Sequence, residues 1–201
     1  MPRIQLLVIQ PTPFCNIDCR YCYLPQRNSK AVVAEQTLAN LFSQVFASGW
    51  AEDGLTVIWH AGEPMVLPID FYRRAFRLID GLKPEGLSLT HSFQTNGTLI
   101  DDAWCDFFAA EQISVGVSID GPQRLHDINR RTRSGHGTFE RTIAGIRRLL
   151  LITAQTAEDP KGFQWNPQGI EITVLLALVL GITVALILLR RFYGRTQTAM
   201  E

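Results

Sequence analysis

The sequence is short of cysteine, of net charge and of any N-terminal targeting segment. Four cysteines in 201 residues are too few for a disulfide scaffold. Nineteen Lys and Arg side chains balance nineteen Asp and Glu side chains, which argues against a nucleic-acid binder that works by neutralising phosphates. The apolar run at 4–9 is too short for a secretory signal, so we expect the N-terminal part to fold in the cytoplasm with its thiols reduced.

Internal repeats and low-complexity tracts are also missing from the sequence. Hydrophobic residues make up 46% of the chain, which is enough for a core and excludes wholesale disorder. At roughly 150 residues per domain, the length predicts one domain and a remainder. We place the domain at 1–152 and a linker rich in Pro and Gly at 153–169.

A long apolar stretch follows the predicted linker. Residues 170–189 carry a single charge, Glu171 near the edge, and have the length of a transmembrane helix. A basic tail at 190–201 begins directly with two arginines, so we predict a single membrane-anchoring span. The alternative is a buried strand at 170–178 followed by a core helix that breaks at Gly181.

Apolar periodicity divides the predicted domain into alternating strands and helices. Strands are predicted at 4–10, 55–60, 87–94 and 113–119, and helices at 32–47, 69–82, 101–112 and 138–151. This βαβαβαβα order predicts an α/β fold with a parallel sheet and right-handed crossovers.

A polar motif follows each predicted strand. The motifs occupy residues 15–22, 60–64, 94–97 and 118–122. Because the carboxyl ends of parallel strands share one edge of a sheet, we expect the four motifs to converge on one rim. That convergence points to a single functional site more strongly than any one motif does.

Three of the four cysteines, Cys15, Cys19 and Cys22, lie within eight residues. Three thiolates without a fourth nearby suit an iron–sulfur cluster with one open iron, whereas structural zinc takes four ligands. Two alternatives stay open. The spacing could be one face of a helix with small buried cysteines, which the preceding prolines disfavour, or a zinc site completed by His60.

The spacing Cys-x-x-x-Cys-x-aromatic-Cys after a first strand, with Tyr21 as the aromatic residue, resembles the signature of the radical S-adenosylmethionine (radical SAM) superfamily. The surrounding Pro-x-x-x-Cys-Asn-x-x-Cys-x-Tyr-Cys-Tyr resembles the branch that includes anaerobic sulfatase-maturating enzymes and peptide-modifying radical SAM/SPASM proteins. The resemblance covers about residues 4–151. It implies a partial (β/α) barrel of the radical SAM type with four βα units.

The resemblance also implies the cofactors, a 4Fe–4S cluster and S-adenosylmethionine (SAM). In that family three cysteines hold the cluster, here Cys15, Cys19 and Cys22, and its open iron binds the amino and carboxylate groups of SAM. An electron from the reduced cluster cleaves SAM to a 5′-deoxyadenosyl radical, which takes hydrogen from the substrate. The implied partners are a peptide or protein substrate and an electron donor such as a flavodoxin or ferredoxin, with no nucleic acid.

The other motifs resemble the family's SAM-binding segments, although each could be a plain turn. His60-Ala-Gly-Glu-Pro64 resembles the Gly-Gly-Glu motif that contacts the methionine amino group, with Ala61 in place of the first glycine, and we expect φ below zero there. An arginine at position 130 can clamp the SAM carboxylate through a bidentate pair. The implied SAM-binding residues are Tyr21, Gly62, Glu63, Gln94, Asn96, Ser118, Asp120 and Arg130.

Several neighbouring residues are given structural interpretations. Thr138 is predicted to N-cap the last helix of the domain, and His126 to act as a local cap. Arg131 and Arg133, beside Arg130, are interpreted as solvated side chains. Cys105 is predicted to be a small buried residue within a helix and not a ligand.

The family pattern ends at Leu151, whereas a complete (β/α)₈ barrel typically needs about 250 residues. We favour a truncated or fused product in which an unrelated membrane segment follows a partial enzyme. The apolar stretch at 170–189 could instead supply barrel material, or a partner could complete the barrel. The leading function is a radical SAM enzyme that modifies a peptide or protein side chain. The alternatives are an inactive, membrane-anchored cluster-binding remnant and a zinc-binding interaction module.

Overall fold

A computed structural model describes residues 3–51 and 54–157, with side chains described as far as Leu151. Strands and helices alternate along this part of the chain. The strands are β1 (Leu6–Ile9), β2 (Leu55–Trp59), β3 (Leu89–Thr95) and β4 (Ser114–Val117), and the helices are α1 (Glu35–Ala47), α2 (Ile69–Leu82), α3 (Asp102–Ala110), α4 (Gln123–Asn129) and α5 (Phe139–Ala157). A 3₁₀ turn at Pro64–Val66 follows β2.

Each predicted strand and helix of the domain is present within a few residues of its expected bounds. Helix α4 and the 3₁₀ turn were not predicted. Helix α5 continues to Ala157, which is five residues into the predicted linker. The rest of that linker, the predicted span at 170–189 and the basic tail at 190–201 lie outside the described residues. Within 3–51 and 54–157, no helix is long and apolar enough to cross a membrane.

The four strands form one sheet in the order β1-β2-β3-β4, and every neighbouring pair is parallel. The predicted parallel α/β sheet is therefore confirmed. Leu6 pairs with Thr56, Leu55 with Leu89, and Ser92 with Ser114. Since each strand pairs with the one before it in the chain, all four carboxyl ends reach the same edge in sequence order.

The hydrophobic core lies between the helices and one face of this sheet. Val57, Trp59 and Phe93 point to that face and are fully buried, and so are Phe42 of α1 and Tyr72 of α2. Their rings pack edge to face, with centroids 5.3 Å apart for Trp59–Tyr72 and 4.6 Å for Tyr72–Phe93. Burying each such side chain contributes about 1.5–3 kcal/mol before ordering entropy is counted. Cys105, in α3, is buried in this core, as predicted.

The opposite face of the sheet is more open. Leu6 and Val8 of β1 are each 52% exposed, and a hydroxyl pair, Thr56 Oγ1 to Thr90 Oγ1 at 3.0 Å, lies exposed on the neighbouring strands. Side chains alternate between the two faces of a strand. The described helices therefore cover one face of the sheet and leave the other to solvent.

Candidate active site at the carboxyl edge of the sheet

The four polar motifs surround one cavity at the carboxyl edge of the sheet. Its volume is about 160 Å³, and it opens to solvent. The lining includes Cys15, Cys19, Tyr21, Cys22, His60, Ala61, Gly62, Glu63, Gln94, Asn96, Ser118 and Arg130. All the predicted cysteines and all the predicted SAM-binding residues except Asp120 thus face the same space.

The cysteine loop presents three half-buried thiols to this cavity. Burial raises the pKa of the Cys15 thiol to about 12, and burial also raises the pKa of Cys19, although Arg130 and Arg27 nearby oppose that rise. In the part of the chain that the structure describes, no three His, Cys, Asp or Glu side chains are gathered at metal-ligand spacing. The donor set still suits an iron–sulfur cluster, because three sulfurs share one cavity and two guanidinium groups offset thiolate charge beside it.

A chain segment distant in sequence holds the cysteine loop in place. The Asp18 amide donates to the Arg131 carbonyl at 2.6 Å, and the Arg20 amide donates to the Asn129 carbonyl at 2.9 Å. The Arg133 side chain is exposed, in line with the sequence-based interpretation, but its guanidinium also binds the loop. It donates to the Cys15 carbonyl from both Nε and Nη2, at 2.9 and 2.7 Å.

Glu63 ties the end of β2 to the end of β3. The side chain is 1% exposed, and its carboxylate accepts from the Met65 amide at 3.0 Å, the Thr95 hydroxyl at 2.7 Å and the Asn96 amide at 2.8 Å. Burial raises the pKa of Glu63, and the three donors oppose that rise by favouring the charged form. This arrangement fixes the rim from which the predicted SAM-binding residues project.

The backbone at Ala61 differs from the sequence-based expectation. Its φ is +70°, so the expectation of a negative φ was wrong. The adjoining Gly62 has φ +65°, and a Cβ there would overlap the carbonyl oxygens of Thr12 and Phe14. The turn therefore requires glycine at 62 and favours it at 61, because only glycine takes this region without steric cost.

Gln94 and Ser118 form a polar pair at the ends of β3 and β4. Gln94 Nε2 donates to Ser118 Oγ at 3.1 Å. The Gln94 amide lies over Gly116, where any Cβ would overlap its Oε1 atom. Sequence analysis missed Gly116. A glycine between two valines within a strand was the available signal, because such a glycine often marks a close approach.

Asn96 faces the cysteine loop more than the open cavity. Its Nδ2 atom donates to Asn16 Oδ1 at 2.8 Å and lies 3.9 Å from Cys15 Sγ. Asn16 in turn donates to Thr98 Oγ1 at 2.8 Å. Sequence analysis did not identify Asn16 or Thr98, because their pairing joins residues about 80 positions apart.

Tyr21, Asp120 and Arg130 form a connected group beside the cavity. Tyr21 donates to Asp120 Oδ2 at 2.6 Å, and Arg130 Nε donates to Asp120 Oδ1 at 2.8 Å. Burial alone would lower the pKa of Arg130, but the Asp120 bond raises it, so the guanidinium stays charged. Asp120 thus contacts Arg130 and not the cavity. The bond through Nε leaves both terminal nitrogens of Arg130 without a hydrogen-bond partner among the described residues, which suits a ligand carboxylate.

A buried histidine, His126, is hydrogen-bonded to this group on the side away from the cavity. His126 is fully buried, its Nδ1 accepts from the Asp120 amide at 3.4 Å, and its Nε2 lies 3.0 Å from Thr138 Oγ1. The Thr138 hydroxyl donates to the Arg130 carbonyl at 2.9 Å, so its predicted capping of α5 was wrong. The Asp127 carboxylate caps that helix, accepting from the Phe139 amide at 2.9 Å.

The fold and the rim together define an α/β protein with a parallel sheet and a three-cysteine loop at the carboxyl edge of that sheet. Residues 9–151 match the model of the radical SAM superfamily, and the chain belongs to this family. Members of the family use a 4Fe–4S cluster and SAM, and the predicted family membership is confirmed.

Named relatives lie in the sulfatase-maturating branch. The chain is 32% identical over 136 residues to the serine-type anaerobic sulfatase-maturating enzyme of Klebsiella aerogenes, which covers 67% of this chain and 34% of that one. It is 45% identical over 148 residues to an uncharacterized protein of Synechocystis sp., covering 72% of this chain and 37% of the relative. The chain therefore spans about a third of the length of these relatives.

The fold also matches solved structures. Hexahistidine-tagged anSMEcpe with bound AdoMet superposes with a TM-score of 0.68 and 27% identity, over 76% of this chain and 42% of that one. Native anSMEcpe with bound AdoMet and the Cp18Cys peptide gives a TM-score of 0.66 and 26% identity, over 76% of this chain and 41% of the other. The cofactor in both structures is SAM.

Proposed function

We propose that residues 3–151 form the cluster- and SAM-binding part of a radical SAM enzyme that modifies a peptide or protein side chain. The observation that carries this proposal is the single cavity around which the cysteine loop and the three other motifs meet. When bound and reduced, the cluster supplies the electron that cleaves SAM to a radical able to take hydrogen from the substrate.

Each group of residues has a separate task in this proposal. Cys15, Cys19 and Cys22 hold the cluster. The free terminal nitrogens of Arg130 and the Ser118 hydroxyl bind the SAM carboxylate, with Asp120 keeping the guanidinium in place through Nε. Glu63 keeps the ends of β2 and β3 at a fixed separation through its three accepted hydrogen bonds.

Two further assignments follow the relatives. A peptide substrate is supported by the Cp18Cys peptide in the anSMEcpe complex and by the sulfatase-maturating enzymes among the relatives. An electron donor such as a flavodoxin or ferredoxin would reduce the cluster. Anchoring through 170–189 stays a prediction, since those residues lie outside the described part.

The test is an anaerobic assay of the full chain. The protein is reconstituted with iron and sulfide, given SAM and dithionite, and assayed for 5′-deoxyadenosine. We expect release by the wild type and by Cys105→Ala, whose thiol is buried in α3 away from the loop, and loss of release by Cys19→Ala. Equal release by wild type and Cys19→Ala would contradict the proposal.

A second candidate function is cluster binding without catalysis. Iron content and 5′-deoxyadenosine release, measured together, separate the two functions. A bound cluster with no 5′-deoxyadenosine would support the second, whereas a chain that takes up no iron would contradict both.

A further inference from the structure

The Arg133 side chain binds both ends of the cysteine loop, residues 15–28. The loop starts at Cys15 and reaches Arg27 and Asn28 before the chain leads to α1. Arg133 Nη2 donates to the Cys15 carbonyl at 2.7 Å and to the Arg27 carbonyl at 2.6 Å, and Nε donates to the Cys15 carbonyl at 2.9 Å. Its Nη1 atom donates to Asn28 Oδ1. A single guanidinium therefore closes the loop from outside.

The ring of Phe14 covers one side of this guanidinium. The Arg133 Cζ atom lies 4.9 Å from the ring centroid, which is within cation–π distance. The planar fork of arginine can serve several carbonyls at once, whereas a lysine ammonium is a compact point charge. The loop itself adds one bond between its ends, from the Cys15 amide to the Arg27 carbonyl at 3.4 Å. Most of the hydrogen bonding between the two ends thus passes through Arg133.

We propose that Arg133 is a positioning residue that closes the loop 15–28 and thereby sets the cluster-binding arrangement of its three cysteines. This inference rests on the proposed function, because it concerns the loop assigned to the cluster. The juxtaposition that carries it is one guanidinium bound to the carbonyls of Cys15 and Arg27 and to the Asn28 side chain.

Arg131 provides a matched control two positions away. Its side chain is also exposed, but its Nε donates to the Asp127 carbonyl at 2.9 Å, at the end of α4. Its contact with the cysteine loop comes from its backbone carbonyl, which a substitution of the side chain leaves in place. Arg131→Ala therefore removes the same charge and a similar volume without opening the loop.

The first experiment needs no cofactor. Amide hydrogen exchange is followed in the metal-free full chain, for peptides covering residues 15–28. Hydrogen bonds from a charged donor are stronger than those between neutral groups, so losing them should strongly favour opening of the loop. We expect Arg133→Ala to speed exchange in the loop at least tenfold, Arg133→Lys to restore part of the protection, and Arg131→Ala to have no effect.

Exchange in α2 and α3 shows in the same data that each variant is folded. Loop exchange in Arg133→Ala equal to that in Arg131→Ala would overturn the inference. Exchange in Arg133→Lys as slow as in the wild type would also overturn the inference, because an ammonium group would then hold the loop as well as the planar guanidinium.

The second experiment measures cluster retention. Reconstituted proteins are mixed with an iron chelator, and the visible absorbance of the cluster is followed. We expect Arg133→Ala and Arg133→Lys to lose iron several-fold faster than Arg131→Ala. Retention equal to the control would overturn the inference. If the wild type takes up no cluster, the proposed function fails, and the exchange experiment alone decides the role of Arg133.

Discussion

Ala61 is held in a backbone conformation that alanine seldom takes, with φ at +70°. A left-handed conformation costs a residue with a Cβ about 1–2 kcal/mol, part of which a glycine gives back through its greater freedom in the unfolded chain. We expect Ala61→Gly to raise the free energy of unfolding by about 0.5–1 kcal/mol, measured by urea denaturation.

The neighbouring Gly62 gives the opposite control for this turn. Gly62→Ala should lower stability, because the added Cβ would overlap the Thr12 carbonyl oxygen. A loss of stability in Ala61→Gly would show that the methyl group of Ala61 makes contacts worth more than the strain it causes.

At the residue scale, the residues that line the cavity were easier to predict from the sequence than the contacts that they make. The motifs place Tyr21, Glu63, Gln94 and Ser118 at the cavity because each motif lies at the carboxyl end of a strand. The hydrogen bond from Arg133 to the Cys15 carbonyl joins positions 118 apart, and no local sequence pattern predicts such a contact. The positive φ of Ala61 was missed for a similar reason, since the packing of the turn against residues 12–14 imposes it.

Two helical glycines differ sharply in their surroundings. Gly145 of α5 lies against the Gly97 carbonyl oxygen, where a Cβ would overlap it, whereas Gly81 of α2 has no neighbour within 4 Å of a Cβ. Overpacking typically costs about 1–3 kcal/mol, and replacing an exposed helical glycine by alanine gains up to about 1 kcal/mol. We expect Gly145→Ala to destabilise the domain and Gly81→Ala to stabilise it.

Chemical denaturation of both variants checks this pair. The sign of the difference is the result that matters, because helix propensity alone predicts stabilisation for both. A stabilised Gly145→Ala would contradict the close contact between α5 and the turn after β3.

His91 on β3 makes the stability of the sheet dependent on pH. Its ring stacks on Phe76 at 3.8 Å, its Nδ1 accepts from Trp59 Nε1 at 3.4 Å, and its buried Nε2 has no hydrogen-bond partner among the described residues. Burial lowers the pKa of His91 from 6.5 to about 4. Between these two pKa values, the His91 ring is mostly neutral in the folded state and mostly protonated in the unfolded chain.

The sign of the pH effect follows from this difference. Above pH 6.5 the histidine is neutral in both states and adds no dependence. Between pH 6.5 and about 4 the unfolded chain binds more protons, so the free energy of unfolding should fall as the pH is lowered, by up to about 3 kcal/mol. Urea titrations at pH 7, 5.5 and 4.5 measure this. His91→Gln should make the profile less steep.

At the element scale, the helices with a long apolar stripe were predicted from the sequence, whereas the short helix α4 was not. Helix α2 buries Phe71, Phe76 and Ile79 on one face, so its periodicity is plain in the sequence. Helix α4 has seven residues, and its buried member is His126, whose partners are polar. Periodicity cannot identify so short a helix, in which the buried position is a histidine.

Among the described residues, the helices cover one face of the sheet and leave the other exposed. Ile9 is 6% exposed on the face that the helices cover, and Val8 is 52% exposed on the other face of the same strand. We expect Ile9→Thr to cost about 2 kcal/mol or more, because it buries a hydroxyl and leaves a void, and Val8→Thr to cost less than about 0.5 kcal/mol. Equal losses in denaturation experiments on the full chain would show that the second face is covered too.

At the scale of the whole chain, the alternation of strands and helices predicted the parallel sheet, and the motifs at the strand ends carried the resemblance to the family. The polar strand ends occur in the order that a parallel sheet brings to one rim, and this order depends on connectivity alone. The substrate and the bond formed were beyond prediction, because the chain matches about a third of the length of its relatives. In the proposed function the motifs are assigned to the cofactors, so they do not indicate which peptide is bound.

The bonds from Asp18 and Arg20 to the 129–131 segment also set an order of events during synthesis. The cysteine loop leaves the ribosome first, but the carbonyls that hold it are made over a hundred positions later. At about 5–20 residues per second, the thiols wait roughly 5–20 s in an unclosed loop. Delivery of iron and sulfide before that moment would meet three flexible thiols, open to oxidation and to competing metals. We therefore expect cluster insertion to follow the emergence of residue 133, late in the synthesis of the domain.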